Sequence, residues 1–249
     1  MYKYSRGFLF FSNRKQAKKY INKITHKFPN NYTVSKPTYA IFREWKNYDE
    51  NHKKKVFNLF NAKEHQQKQV KYFLEAEGID LNKHKLVSIS LRSNPWGNLN
   101  NSKLEEWIKF SNYLLSKGYK VIIIPDCEDD KRYSFLKKTD FIVSYEASIN
   151  VFYRYALYSL CYTNCLVANG IWQILNFSNI PFILFKVIID KEPIDKNADV
   201  LSTREHVEKA LNVNVDEKPE FLNENQEWTT LQDDYKSLIS VFEDYIKTK

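Results

Sequence analysis

Four short stretches of this chain place cations, carboxylates or a glycine directly after apolar runs, where open α/β sheets hold their ligands. The first is Arg92-Ser93-Asn94, which closes the β-rich run KLVSISLR over residues 85–92. The planar fork of Arg92 suits a phosphate or a carboxylate, and the plainer alternative is a rim ion pair. The second is Pro125-Asp126-Cys127-Glu128-Asp129-Asp130. A carboxylate there, Asp126 or Glu128, would accept hydrogen bonds from ribose hydroxyls or act as a general base on an acceptor hydroxyl. An acidic turn in solvent is the competing reading. The third is Ser144-Tyr145-Glu146-Ala147, where backbone groups and Tyr145 would flank a flat ring. The fourth is Ala168-Asn169-Gly170-Ile171, between a strand and a short helix. A helix start favours an anion, and Gly170, one of only 5 glycines, would let the backbone approach a phosphate closely.

Other chemistries lack their residues. The sequence contains no G-x-G-x-x-G, no P-loop, no H-E-x-x-H and no G-x-S-x-G. The five histidines are scattered, which removes the usual metal-hydrolase spacing. Cys127, Cys161 and Cys165 are odd in number and form no C-x-x-C pair, so they read as reduced thiols, with Cys161 and Cys165 in the core. No metal or cofactor is expected.

The elements that must position these residues follow from periodicity. The run over 85–92 precedes an amphipathic helix, opened by a capping box at Ser102-Lys103-Leu104-Glu105. Leu104, Trp107, Ile108, Ser111, Leu114 and Leu115 form its stripe, and Gly118 ends it. A strand over 120–124 completes a βαβ unit, which demands a parallel pair. Short strands at 141–144, 164–168 and 181–185 alternate with helices at 150–160 and 171–177. This alternation predicts a Rossmann-like, doubly wound parallel sheet. Beyond residue 190 the chain turns acidic, with a loose helix at 203–211. A last helix over 231–246 packs back through Leu231, Tyr235, Leu238, Ile239, Phe242 and Ile246.

Residues 1–84 read as a reduced N-terminal α/β segment: a strand at 7–11, a helix at 16–24, an irregular stretch, and one or two helices at 53–77 closed by Gly78. Residues 85–249 form the second, Rossmann-like domain. The N-terminal part is basic: residues 1–85 hold 19 Lys and Arg against 7 Asp and Glu, whereas residues 86–249 hold 19 against 23. Nucleic acid, an anionic membrane surface or an acidic substrate would meet such charge, and a solvated surface is the alternative. No recognisable RNA-binding module accompanies it. No apolar run nears the roughly 20 residues of a membrane span, and the N-terminal apolar stretch is too short for a secretory signal. A cytoplasmic location is expected, and sequons at Asn31, Asn100 and Asn176 read as chance in an Asn-rich chain.

The ordered pieces Ile89-Ser90-Leu91-Arg92, Asn101 to Trp107, Ile124 to Asp129, and Asn150 to Tyr158 with Asn169-Gly170 resemble the C-terminal, donor-binding half of GT-B glycosyltransferases. They lie closest to a little-described bacterial group of that type. The resemblance spans residues 85–186, and the C-terminal helix is similar too. It implies a nucleotide-sugar donor and metal-independent transfer to an acceptor. Arg92 and Asn169-Gly170 would lie on the pyrophosphate, with Ser93, Asn94, Ser144 and Glu146 beside the donor. Arg154 would be a second cation or a structural clamp. The H-x-R-x-G-D pattern of GT-B fucosyltransferases is missing. A GT-B enzyme also has two Rossmann domains, and residues 1–84 resemble only the tail of the acceptor domain. A protein partner or a second copy would then complete the acceptor side. The alternatives are a non-catalytic nucleotide- or partner-binding module and a nucleic-acid or anionic-surface binder.

Overall fold

A computed structural model describes residues 14–21, 23, 61–93, 98–126, 133, 136, 139, 141–176, 178–189, 203–211 and 213–249. The expected strand at 7–11, the irregular stretch and most of the basic N-terminal third lie outside the described residues. So do Asn94, Cys127, Glu128 and the rest of their loops.

Among the described residues six parallel strands form one open sheet in the order β3-β2-β1-β4-β5-β6. They are β1 (Leu86–Ser90), β2 (Lys120–Ile124), β3 (Ile142–Val143), β4 (Thr163–Val167), β5 (Phe182–Phe185) and β6 (Gln226–Trp228). The helices are α1 (Arg14–Ile21), α2 (Glu64–Ala76), α3 (Leu104–Ser116), α4 (Tyr145–Ile149), α5 (Val151–Leu160), α6 (Trp172–Leu175), α7 (Arg204–Leu211) and α8 (Tyr235–Lys247). This is the expected doubly wound α/β arrangement, with helices on both faces.

Strand alternation builds the two cores. Leu86, Ile122, Ile124, Leu166, Phe182 and Leu184 point to one face and pack with Val70 and Leu74 of α2 and Tyr155 to Tyr158 of α5. Val87, Ile89, Val121, Ile123, Cys165, Ile183 and Phe185 point to the other and meet Trp107, Phe110 and Leu114 of α3 and Leu238, Phe242 and Tyr245 of α8. β1 is buried along its whole length because it lies inside the sheet with both faces covered. Cys161 and Cys165 are buried free thiols, and burial pushes both up. Among the described residues no helix is long and apolar enough to cross a membrane. Asn100 and Asn176 are buried, so neither sequon presents an accessible amide.

Several expectations need correction. Ser102 does not cap α3. The helix starts from Lys103 with no side-chain cap, and the Ser102 hydroxyl instead accepts a hydrogen bond from the Arg92 N–H at 2.8 Å. The buried face of α3 is shifted toward Phe110, which is fully buried, while Leu115 is 41% exposed. In the C-terminal helix Leu231 lies before the first turn, 49% exposed, and Tyr245 takes the buried position instead. The strand at 182–185 is not the last. β6 pairs with it in parallel, held by Gln226, whose Nε2 donates to the Ser178 carbonyl at 2.8 Å and the Leu175 carbonyl at 3.0 Å. A three-residue strand reading Gln-Glu-Trp carries too little apolar alternation to register in sequence.

Candidate functional site at the ends of β1 and β4

Strand order reverses direction between β1 and β4, so the crevice past their C-terminal ends is the topological switch point of the sheet. Arg92 spans it. Its Nη1 donates to the carbonyl of Ala168, the residue after β4. The Arg92 backbone is tied at both polar groups, since Ser102 Oγ accepts its N–H and its carbonyl accepts the Ser102 N–H at 3.0 Å. The next residue, Ser93, donates its N–H to Asp126 Oδ2 at 2.9 Å. Asp126 stands at the end of β2 and thereby fixes the loop that carries Arg92.

On the far side of the crevice Asn169 Oδ1 accepts the Ile171 N–H at 3.1 Å. This occupies one N–H ahead of α6, which is only 4 residues long. Gly170 is not in the left-handed region, and a Cβ added there meets nothing within 4 Å. Neither backbone conformation nor packing requires a glycine at this exposed position. The turn is open, with nothing packed against Gly170.

Arg154 approaches from α5. Its Nε donates to the Tyr158 hydroxyl at 2.6 Å, and that hydroxyl shares a 2.6 Å hydrogen bond with Ser90 Oγ at the end of β1. Below it, Ser88 Oγ donates to Asn164 Oδ1 at 2.6 Å, and Asn164 Nδ2 donates to the Tyr158 and Pro181 carbonyls. A polar strip therefore runs through an otherwise apolar core from β4 to the rim. Apart from Arg154 Nη2, which is buried without an acceptor, the polar atoms of the strip are satisfied by their neighbours, as burial demands.

Two further candidates follow β3, which pairs with β2. Ser144 caps α4, accepting the Ala147 N–H at 3.3 Å. Glu146 is exposed and accepts from Asn150 Nδ2 at 2.7 Å. Both follow β3, two strands from β1 and so about 10 Å away. Arg92, Ser93, Asp126, Arg154, Asn169 and Gly170 gather at the ends of β1, β2 and β4; Ser144 and Glu146 follow the edge strand β3, where the Ser144 N–H donates to the Ile123 carbonyl of β2 at 3.0 Å.

Sequence reading missed a second charged group beside Arg92. Lys186, directly after β5, is 5% exposed with a left-handed φ of 56°. Its Nζ donates to the Asn101 carbonyl at 3.0 Å and meets Asp233 Oδ1 at 3.3 Å, an ion-pair contact rather than an aligned hydrogen bond. Asp233, wholly buried, accepts the Lys103 N–H at 2.8 Å and Trp107 Nε1 at 2.9 Å through Oδ2. Burial holds the Lys186 ammonium below its ordinary range, against the pull of Asp233 and with repulsion from Lys103 and Arg92. Lys186 ends an apolar run and Asp233 lies in a polar stretch, so only their meeting across the sheet reveals the pair.

No protein-family model matches the sequence, and neither does any curated protein. Among solved structures the chain is similar to the glycosyl transferase family 9 protein from Veillonella parvula DSM 2008. The TM-score is 0.51 at 12% identity, over 76% of this chain and 54% of that one. It also matches the E. coli ADP-heptose lps heptosyltransferase II, with a TM-score of 0.41 at 10% identity, over 61% of this chain and 52% of that one. The chain spans about half the length of these two structures. The likeness to the family 9 protein is one of fold, a Rossmann-type parallel sheet with helices on both faces.

Proposed function

We propose that this chain is a glycosyltransferase-like protein that binds a nucleotide-sugar at the C-terminal ends of β1 and β4 and passes the sugar to an acceptor. The observation that carries this is Arg92, an always-charged side chain held across the switch point by the Ala168 carbonyl. A sugar leaving a diphosphate deposits negative charge on the phosphate oxygens. A fixed guanidinium in place before the reaction stabilises that charge without reorganising. Ser102 and Asp126 serve it by fixing the backbone on either side, so Asp126 is a positioning carboxylate in this reading. The Asn169-Gly170 turn leaves room for the donor. The acceptor, a partner that would complete its side, and a cytoplasmic location belong to the same proposal.

Binding without transfer is the second reading. It is favoured by Asp126, the one candidate base among the described residues, because its Oδ2 already accepts the Ser93 N–H.

Thermal unfolding with UDP, GDP, ADP, CDP and their sugars tests the first reading. A nucleotide that binds only the native state raises Tm. The expected result is a rise of several degrees for one base, abolished by Arg92→Ala. Silence across the whole panel would overturn it. A shift without nucleoside diphosphate release against any acceptor extract would select the binding-only reading.

A further inference from the structure

We infer that Tyr158 is a positioning residue that presents Arg154 as a second guanidinium beside Arg92, so that the crevice selects a diphosphate over a monophosphate group. This rests on the nucleotide reading above and names how its phosphates are recognised.

α5 starts at the ligand-side rim of the sheet and runs back along it, so Arg154 lies one turn nearer the rim than Tyr158. Tyr158 is fully buried, with its hydroxyl on Ser90, the last residue of β1. Arg154 folds back to that hydroxyl through Nε, with its guanidinium carbon 5.5 Å from the Tyr158 ring centroid. The charged group is thereby set just past the end of β1. Arg92 is two residues beyond Ser90 and, by strand alternation, faces the same side, about 7 Å further along the chain.

One atom of this assembly is unfinished. Arg154 Nη2 is buried and has no hydrogen-bond acceptor among the described residues. A buried guanidinium N–H without an acceptor is costly, and an anionic oxygen is the partner it fits best. Two cations spaced along the rim match two phosphoryl units, whereas a single phosphoryl engages only one of them. Tyr158 removes most of the rotamer freedom of Arg154 before any ligand arrives, which is where preorganised sites gain affinity.

Calorimetry on the full chain with inorganic pyrophosphate and orthophosphate tests this without knowing the base. The unaltered protein is expected to bind pyrophosphate at least tenfold more tightly than orthophosphate. Arg154→Met should bring that ratio close to one, and Tyr158→Phe should lower it severalfold. A purely structural tyrosine would lower Tm and leave the ratio alone. Should Tyr158→Phe fail to fold, Arg154→Met decides, because that side chain is only half-buried. An unchanged ratio in Arg154→Met, with pyrophosphate binding lost in Arg92→Ala, overturns the inference and leaves the nucleotide reading standing. No preference for pyrophosphate in the unaltered protein overturns it too. If neither anion nor any nucleotide binds, both readings fall.

Discussion

Asp233 is a wholly buried carboxylate with three claims on it: a lysine, an indole and a backbone N–H. Removing it strands a buried ammonium as well as two donors. Asp233→Ala should therefore cost about 3–5 kcal/mol, which in a chain of this size lowers Tm by about 10 °C or more. Denaturant titration and calorimetry check this. Lys186→Met is expected to destabilise as well, since it leaves Asp233 charged and buried without its cation. Arg92 was legible in sequence because an arginine at the end of an apolar run is conspicuous. Lys186 was not, although it holds an equivalent place after β5. Nothing local announces that its partner lies 47 residues further on, in a polar stretch after β6.

Elements were read best where one periodicity was unmixed. β1, β2, β4 and β5 are legible because buried parallel strands are continuous apolar runs, and the expected helix at 150–160 is α5, which the Asn150 side chain caps by accepting the N–H groups of Phe152 and Tyr153. The start of α3 was misread for a physical reason. The Ser102 to Glu105 spacing satisfies the capping pattern, yet the Ser102 hydroxyl accepts the Arg92 N–H and α3 starts from Lys103 with no side-chain cap. Long-range partners outbid the local one. Ser102→Ala should accordingly speed amide exchange at residues 91–93 and leave the first turn of α3 protected. The lost buried hydrogen bond should cost about 1–3 kcal/mol and weaken nucleotide binding. Faster exchange confined to the start of α3 would restore the capping role.

At the scale of the whole molecule, α2 shares a core with the sheet: Val70, Leu74 and Ile79 are buried with Leu86, Tyr155 and Leu184. A chain cut to residues 85–249 should expose that face and aggregate or melt without a cooperative transition. A chain cut to 61–249 should keep one, and scanning calorimetry separates the two. Both cores also bury tyrosines. Burial raises the Tyr155 hydroxyl to about 12, opposed by Ser178. Burial and the hydrogen bond to Glu243 raise Tyr113 to about 12, and burial pushes Tyr245 up as well. Each phenol stays neutral in the fold at a pH where the unfolded chain ionises. Their contribution is thus complete below pH 10 and is lost as pH rises from 10 toward 12. Stability measured by denaturant across that window should fall, with tyrosinate absorbance appearing at unfolding rather than before it.

The hydrogen bonds from Ser88 to Asn164 and from Arg92 to Ala168 each join residues 76 positions apart. Pairing β1 with β4 closes one of the longest loops in the sheet, and such closures come late because their entropy must be met before their contacts reward it. The Ser88–Asn164 bond also sets which residue faces which. A slip by one position would bring Val87 or Ile89 against a buried amide. Closure of the crevice is therefore a late event in the folding of each chain. A nascent polypeptide ending before residue 168 has its arginine but not the far wall of the crevice, and a folding intermediate with β1 and β2 alone paired has no crevice at all.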